Sequence, residues 1–234
     1  MLKRGFGGDP DFADAYVNLG RLESIQQHFS KAIANYKKAA ELRPQDINAS
    51  IGLAESYKNN QQEEQAERIY QALMSTAEGR QNYRVLLNLS SLLRNKGQYN
   101  DAIALLNEAV NLYPKAALIY SMLAANYALL KDMVQATQYY KKALSVEPGS
   151  TQIQLEFAHF SWAQGFENPF AEVINAITNP LQQSDLCLAC LNLLLNAEQF
   201  DLVKLVLDKC LPALDSLALI NMFAARYYLA LIPL

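Results

Sequence analysis

The chain has 234 residues, of which 51% are apolar, enough for one or two packed domains and too many for a disordered chain. With 20 basic against 23 acidic residues and a pI near 5.5, it lacks the positive excess that neutralises a phosphate backbone, which excludes nucleic acid as the expected partner. Only 9 glycines and 8 prolines interrupt long segments of Ala, Leu, Gln, Glu and Lys, so the composition predicts an all-α, soluble chain.

In chain order, residues 1–12 read as the tail of an upstream repeat or a linker. The start MLKRGFGG has a basic pair but no apolar stretch after it, so it is no secretory signal. Its GFGG has no strand before it, so it reads as linker and not as a phosphate loop. From residue 13 the prolines set a rhythm, because Pro10, Pro44, Pro114 and Pro148 stand 34, 70 and 34 residues apart. Ahead of Pro44 come Tyr16, Leu19 and Gly20, then Ala32, Tyr36 and Ala39. The same offsets before Pro114 hold Leu86, Leu89, Ser90, Ala102, Leu106 and Ala109, and before Pro148 they hold Tyr120, Leu123, Ala124, Ala136, Tyr140 and Ala143. Between them Leu53, Ala54, Ala66 and Tyr70 keep the register, with Glu78 in the place of proline and two additional residues before the next unit. The spacing of three and four puts one apolar stripe on each helix of a hairpin. Gly20, Ala54, Ser90 and Ala124 are then expected to let the first helix approach Ala32, Ala66, Ala102 and Ala136 of the second. The near-identical phrases YKKAAELRP (36–44) and YKKALSVEP (140–148) are second helices that stop at a proline.

Residues 13–150 therefore resemble four tetratricopeptide repeats, whose 34-residue pattern is W-x2-L-G-x2-Y, then A-x3-F, then P. The resemblance implies a right-handed superhelical α-solenoid of helix-turn-helix units. Glu23 departs from it, standing where the family has an aromatic, so the first unit is expected to pack less tightly. Residues 151–214 read as two degenerate repeats. Phe157, Ala158 and Gly165 keep their places, but Phe170 replaces a small residue, and a sixth hairpin opens at Ser184, breaks near Glu198 and resumes at Phe200. Residues 215–234 form one more helix that is apolar on every side, which predicts that something covers it, such as a second copy in a homodimer. Apolar runs such as CLNLLL and YYLALIPL fall short of the roughly 18–20 residues of a membrane span.

No catalytic, cofactor or metal constellation is legible. Cys187 and Cys190 form a CxxC, but the only further sulfur ligand is Cys210, so all three read as core cysteines in a reducing cytoplasm. His28 falls in the first hairpin turn and His159 in the fifth unit, too far apart to share a site. A non-catalytic scaffold that binds a protein or extended peptide is the expected function, with the substrate-recognition arm of a larger transferase as the alternative. The resemblance implies a concave face lined by first-helix residues outside the core. In the early units these include Asn18, Arg21, Glu55, Lys58, Arg84, Asn88 and Arg94, and in the later ones Met122, His159 and Trp162, so the groove runs from polar to apolar. The carboxylate-clamp pattern of chaperone-binding members is not matched: Val17 with Arg21, and Ile51 with Glu55, replace its Lys and Asn.

Overall fold

The computed structural model describes residues 11–163 together with Cys187, Leu188, Cys190, Leu191, Val203, Val206 and Cys210. The chain divides into two compact units, Met1–Lys115 and Ala116–Leu234. Among the described residues the secondary structure is entirely helical. The first unit holds α1 (Asp11–Ile25), α2 (Phe29–Leu42), α3 (Ile47–Asn59), α4 (Glu63–Met74), α5 (Ala77–Arg80), α6 (Tyr83–Asn95) and α7 (Tyr99–Leu112). The second holds α8 (Ala117–Leu129), α9 (Met133–Val146) and α10 (Thr151–Ala163). Pairs α1–α2, α3–α4, α6–α7 and α8–α9 are hairpins at the predicted places.

Each hairpin turns in the same way. One residue adopts a left-handed conformation, Gln27 (φ 61°), Gln61 (φ 60°), Gly97 (φ 76°) or Lys131 (φ 63°). The amide after it reaches back five residues, as His28 to the Glu23 carbonyl at 2.8 Å and Asp132 to the Tyr127 carbonyl at 2.9 Å, while the left-handed residue bonds three residues back. This pair of bonds satisfies the last carbonyls of the first helix and reverses the chain within three residues. Only one of the four positions is glycine, so the turns carry no compositional signal.

The second helices end as the prolines require. α2, α7 and α9 stop two residues before Pro44, Pro114 and Pro148, and the intervening Arg43, Tyr113 and Glu147 have extended φ of −138°, −131° and −135°. Their amides bond the carbonyls of Ala39, Ala109 and Ala143. The unit without proline ends differently. Its two additional residues are accommodated by the short α5, capped by the Thr76 hydroxyl on the Gly79 amide, and a Cβ at Gly79 would lie 2.0 Å from the Leu73 carbonyl oxygen.

The small residues at the packing slots are closed to solvent: Ala32, Ala54, Ala66, Ala102, Ala124 and Ala136 are each 0% exposed. At Gly20 the missing side chain makes room for the Tyr36 ring, 2.9 Å from an ideal Cβ. Gly52 of α3 lies on the same ring, where a Cβ would approach to 2.4 Å. In the second unit Tyr140, at the equivalent slot, packs on Phe157 and Phe160 with ring centroids 5.4 Å away. The duplicated phrase has a second use as well: Lys38 lies over the Tyr16 ring at 5.6 Å and Lys142 over Tyr120 at 5.9 Å, each shielding a first-helix aromatic. Glu23 is half-buried and bonded to His28 Nδ1 at 2.9 Å, a polar closure of the turn where the family has an aromatic.

All three cysteines are buried, as expected of core residues, but Cys187 and Cys210 are joined in a disulfide across a separation of 23 residues. Cys190 is a free thiol whose pKa burial pushes up to about 12. No helix among the described residues is long and apolar enough to cross a membrane. Gly165, Phe170, Ser184, Glu198 and Phe200, on which much of the reading of residues 151–214 as two degenerate repeats rests, and the helix expected over 215–234, lie outside the described residues.

Candidate binding groove

Two first helices of the first unit, α3 and α6, bring four of the expected groove residues into one network. Asp46 and Asn82 cap α3 and α6 through paired side-chain acceptance of backbone amides, which fixes where each helix begins and so the register of the residues it presents. Glu55 is the hub. It accepts from Arg84 Nε at 3.1 Å and Nη2 at 2.5 Å, and from Asn88 Nδ2 at 3.1 Å. Asn88 Oδ1 in turn accepts from Lys58 Nζ at 2.5 Å. Burial lowers the pKa of the Lys58 ammonium, and the nearby carboxylates of Glu55 and Glu63 oppose that effect. A fork of two guanidinium bonds on one carboxylate is the geometry that holds an arginine side chain in place.

Beside this network is a cavity of about 230 Å³, walled by Val17, Arg21, Ser24 and Ile25 of α1, Tyr36 of α2, Asn48, Gly52, Glu55 and Asn59 of α3, and Arg84 of α6. Ser24, Tyr36, Gly52 and Asn59 were not legible as groove residues in the sequence. The available signal was the pair Gly20 and Gly52 on either side of a repeat tyrosine. Asn18 and Arg21 are exposed on α1, and Arg94, half-buried, occupies the slot of α6 equivalent to Ser24 and Lys58.

The remaining expected residues belong to the second unit. Met122 is half-buried in α8, where Leu118 and Leu129 are 36% and 49% exposed, so α8 does present apolar surface. His159 is exposed on α10, and Trp162 lies on the same helix with its side chain outside the described residues. Ser121, beside Met122 on α8, is buried and donates to Glu156.

Two equivalent tyrosines differ in a way that can be measured. Ser24 lies beside the Tyr36 hydroxyl and partly offsets the burial that raises its pKa, while the Tyr70 hydroxyl is buried without a partner among the described residues. The slot of Ser24 is filled in the next unit by Lys58, which turns away to Asn88. Tyr36→Phe is therefore expected to destabilise by about 1 kcal/mol, whereas Tyr70→Phe, which removes an unsatisfied buried hydroxyl, should leave the urea midpoint unchanged or raise it.

Residues 25–79, 83–115 and 117–150 match the tetratricopeptide repeat family. The chain belongs to the tetratricopeptide-repeat family. Among curated proteins it is similar to the type IV pilus assembly protein PilF of Pseudomonas aeruginosa, 28% identical over 159 residues that make up 67% of this chain and 62% of PilF. It is also similar to the human protein O-mannosyl-transferase TMTC3, 23% identical over 159 residues, which are 62% of this chain and only 17% of TMTC3. The chain thus spans less than two thirds of the length of either relative. Of solved structures, P. aeruginosa PilF aligns with a TM-score of 0.65 at 23% identity, covering 92% of this chain and 99% of that one. The tetratricopeptide-repeat protein TTC0263 of Thermus thermophilus aligns at 0.59 and 18%, covering 94% and 98%. These likenesses establish the fold, an all-α solenoid of tetratricopeptide repeats, and the family is one of protein-interaction modules.

Proposed function

We propose that the chain is a non-catalytic module that holds an extended segment of a partner protein along the face formed by α1, α3 and α6. The observation that carries this reading is the Glu55–Arg84–Asn88–Lys58 network beside an open cavity. Its long side chains are already ordered, so a bound segment meets a preformed polar surface and less conformational entropy is lost on binding. Residues 13–150 act in this proposal as four repeats, with 151–214 as two further ones.

The likeness to PilF, named for type IV pilus assembly, supports a role in assembling a protein complex. The disulfide supports an oxidising compartment in place of the cytoplasm expected from the sequence, since reducing compartments keep such pairs as thiols. The second reading, a recognition arm within a larger transferase, is favoured by the match to a short stretch of TMTC3, and a transferase domain in the full reading frame would support it.

Photo-crosslinking residues placed at Asn18 and Asn48 in the groove, and at Lys31 and Glu108 on exposed second-helix surface, test the main reading. The groove positions should capture one defined partner protein and the second-helix positions should not. Capture from Lys31 or Glu108 alone would overturn it.

A further inference from the structure

α1 packs on α2 through Val17 and Gly20, and the edge it turns the other way is apolar and open. Leu19 and Leu22 are 47% and 50% exposed there, and Ala15 is exposed one turn before Leu19. The same slots are closed in the next two first helices, where the preceding hairpin packs on them. Ala49 and Val85 stand where Ala15 does and are 0% exposed, and Ser56 and Leu92 stand where Leu22 does and are 1% exposed. The outermost helix of a repeat stack normally turns a polar face to water. α1 carries instead the stacking face of an inner helix.

We propose that this edge is the interface of a two-fold dimer, in which α1 of one copy packs antiparallel on α1 of a second. Ala15, Leu19 and Leu22 follow the i, i+4, i+7 spacing of a single stripe, small at its N-terminal end and bulky at its C-terminal end. Antiparallel pairing about a point between Asn18 and Leu19 seats each Leu22 over the second copy's Ala15, with the two Leu19 side chains meeting at the centre. Parallel pairing would set Ala15 on Ala15 and leave a gap. The charges select the same arrangement. Asp14 and Arg21 are exposed two turns apart on one side of the stripe, and Asp14 keeps 65% of its side chain exposed while it accepts from Arg43. The two-fold brings Arg21 of each copy to Asp14 of the other, whereas a parallel pair would oppose like charges. Such an isologous contact closes on itself, so it ends at two copies and makes no filament. Arg21 and Ile25, which also line the cavity, lie on one side of the stripe, so both cavities open on the same side of the dimer.

Sedimentation equilibrium of the intact, oxidised chain over a concentration series tests this, and should show monomer and dimer with no larger species. Leu22→Ala should weaken the dimer about tenfold through lost apolar burial. Ala15→Leu should weaken it by about the same factor through collision with the second copy's Leu22. The double variant, Ala15→Leu with Leu22→Ala, exchanges the small and bulky partners and should return the dissociation constant to within about threefold of the parent's, a rescue that only antiparallel packing allows. Arg21→Glu should weaken the dimer too, most at low salt. All of these positions are exposed in a single copy, so the dilute variants should melt with the parent. A chain that stays monomeric at every concentration would overturn the proposal, as would a dimer indifferent to Ala15→Leu and Leu22→Ala, or one that both weaken and the double variant does not restore. A monomer that loses stability with Leu22→Ala would overturn it as well, by assigning the cover of this edge to the chain's own residues.

Discussion

Reduction of the Cys187–Cys210 disulfide should lower the stability of the chain by about 3 kcal/mol, the loop-closure entropy that a cross-link across 23 residues removes from the unfolded state. At roughly 2–4 °C per kcal/mol for a chain of this size, that is a fall of about 10 °C in Tm. The comparison is between oxidised protein, the same protein in reductant, and Cys210→Ser, followed by calorimetry. Cys190→Ser is the control, because Cys190 is buried but unbonded and a serine there costs only its burial. Alkylation of the denatured, unreduced protein should label one thiol of the three cysteines. Equal melting of oxidised and reduced protein, or labelling of all three, would remove both the bond and the argument for an oxidising compartment.

How much of this was legible in the sequence depends on whether a feature is set by a repeating residue or by the backbone. Pro44, Pro114 and Pro148 act locally by steric exclusion, so the ends of α2, α7 and α9 followed from the residues alone. The buried alanines followed from periodicity for the same reason. The hairpin turns did not, because Gln27, Gln61 and Lys131 are driven into left-handed geometry by the packing of the helices on either side, at some local cost, and nothing in those side chains announces it. In the groove, spacing identified Glu55, Lys58, Arg84 and Asn88 as sharing one face, but not that Glu55 would be their hub. Which cation a carboxylate selects depends on reach and direction in three dimensions. The disulfide was missed because cysteine spacing along a helical chain says nothing about which pair approaches, and all three cysteines read as core residues of a reducing compartment.

Ala136→Phe is the substitution expected to damage the second unit most. Ala136 is fully buried in α9, at the slot where Ala32, Ala66 and Ala102 stand in the other hairpins, and it packs in the interface of α9 with α8. A phenyl ring there meets rigid, already interdigitated helices and cannot swing into solvent, so the helices must separate. Overpacking of this kind costs typically about 1–3 kcal/mol. Ala136→Gly is a useful second variant, since it creates no clash and should cost about 1–2 kcal/mol through helix propensity and the lost burial of one methyl group. The control must be chosen with care. Lys131 is exposed, yet its φ of 63° means that a substitution there changes backbone energy as well as removing a charge. Gln138, exposed within α9, avoids this, and Gln138→Ala should move the urea midpoint by less than about 0.5 kcal/mol equivalent. Because stability in a repeat chain is close to a sum of units and nearest-neighbour interfaces, the loss from Ala136→Phe should appear first as faster amide exchange in α8 and α9, with α1 to α4 still protected. Equal urea midpoints for Ala136→Phe and Gln138→Ala would mean that the repeat register assigned to α9 is wrong.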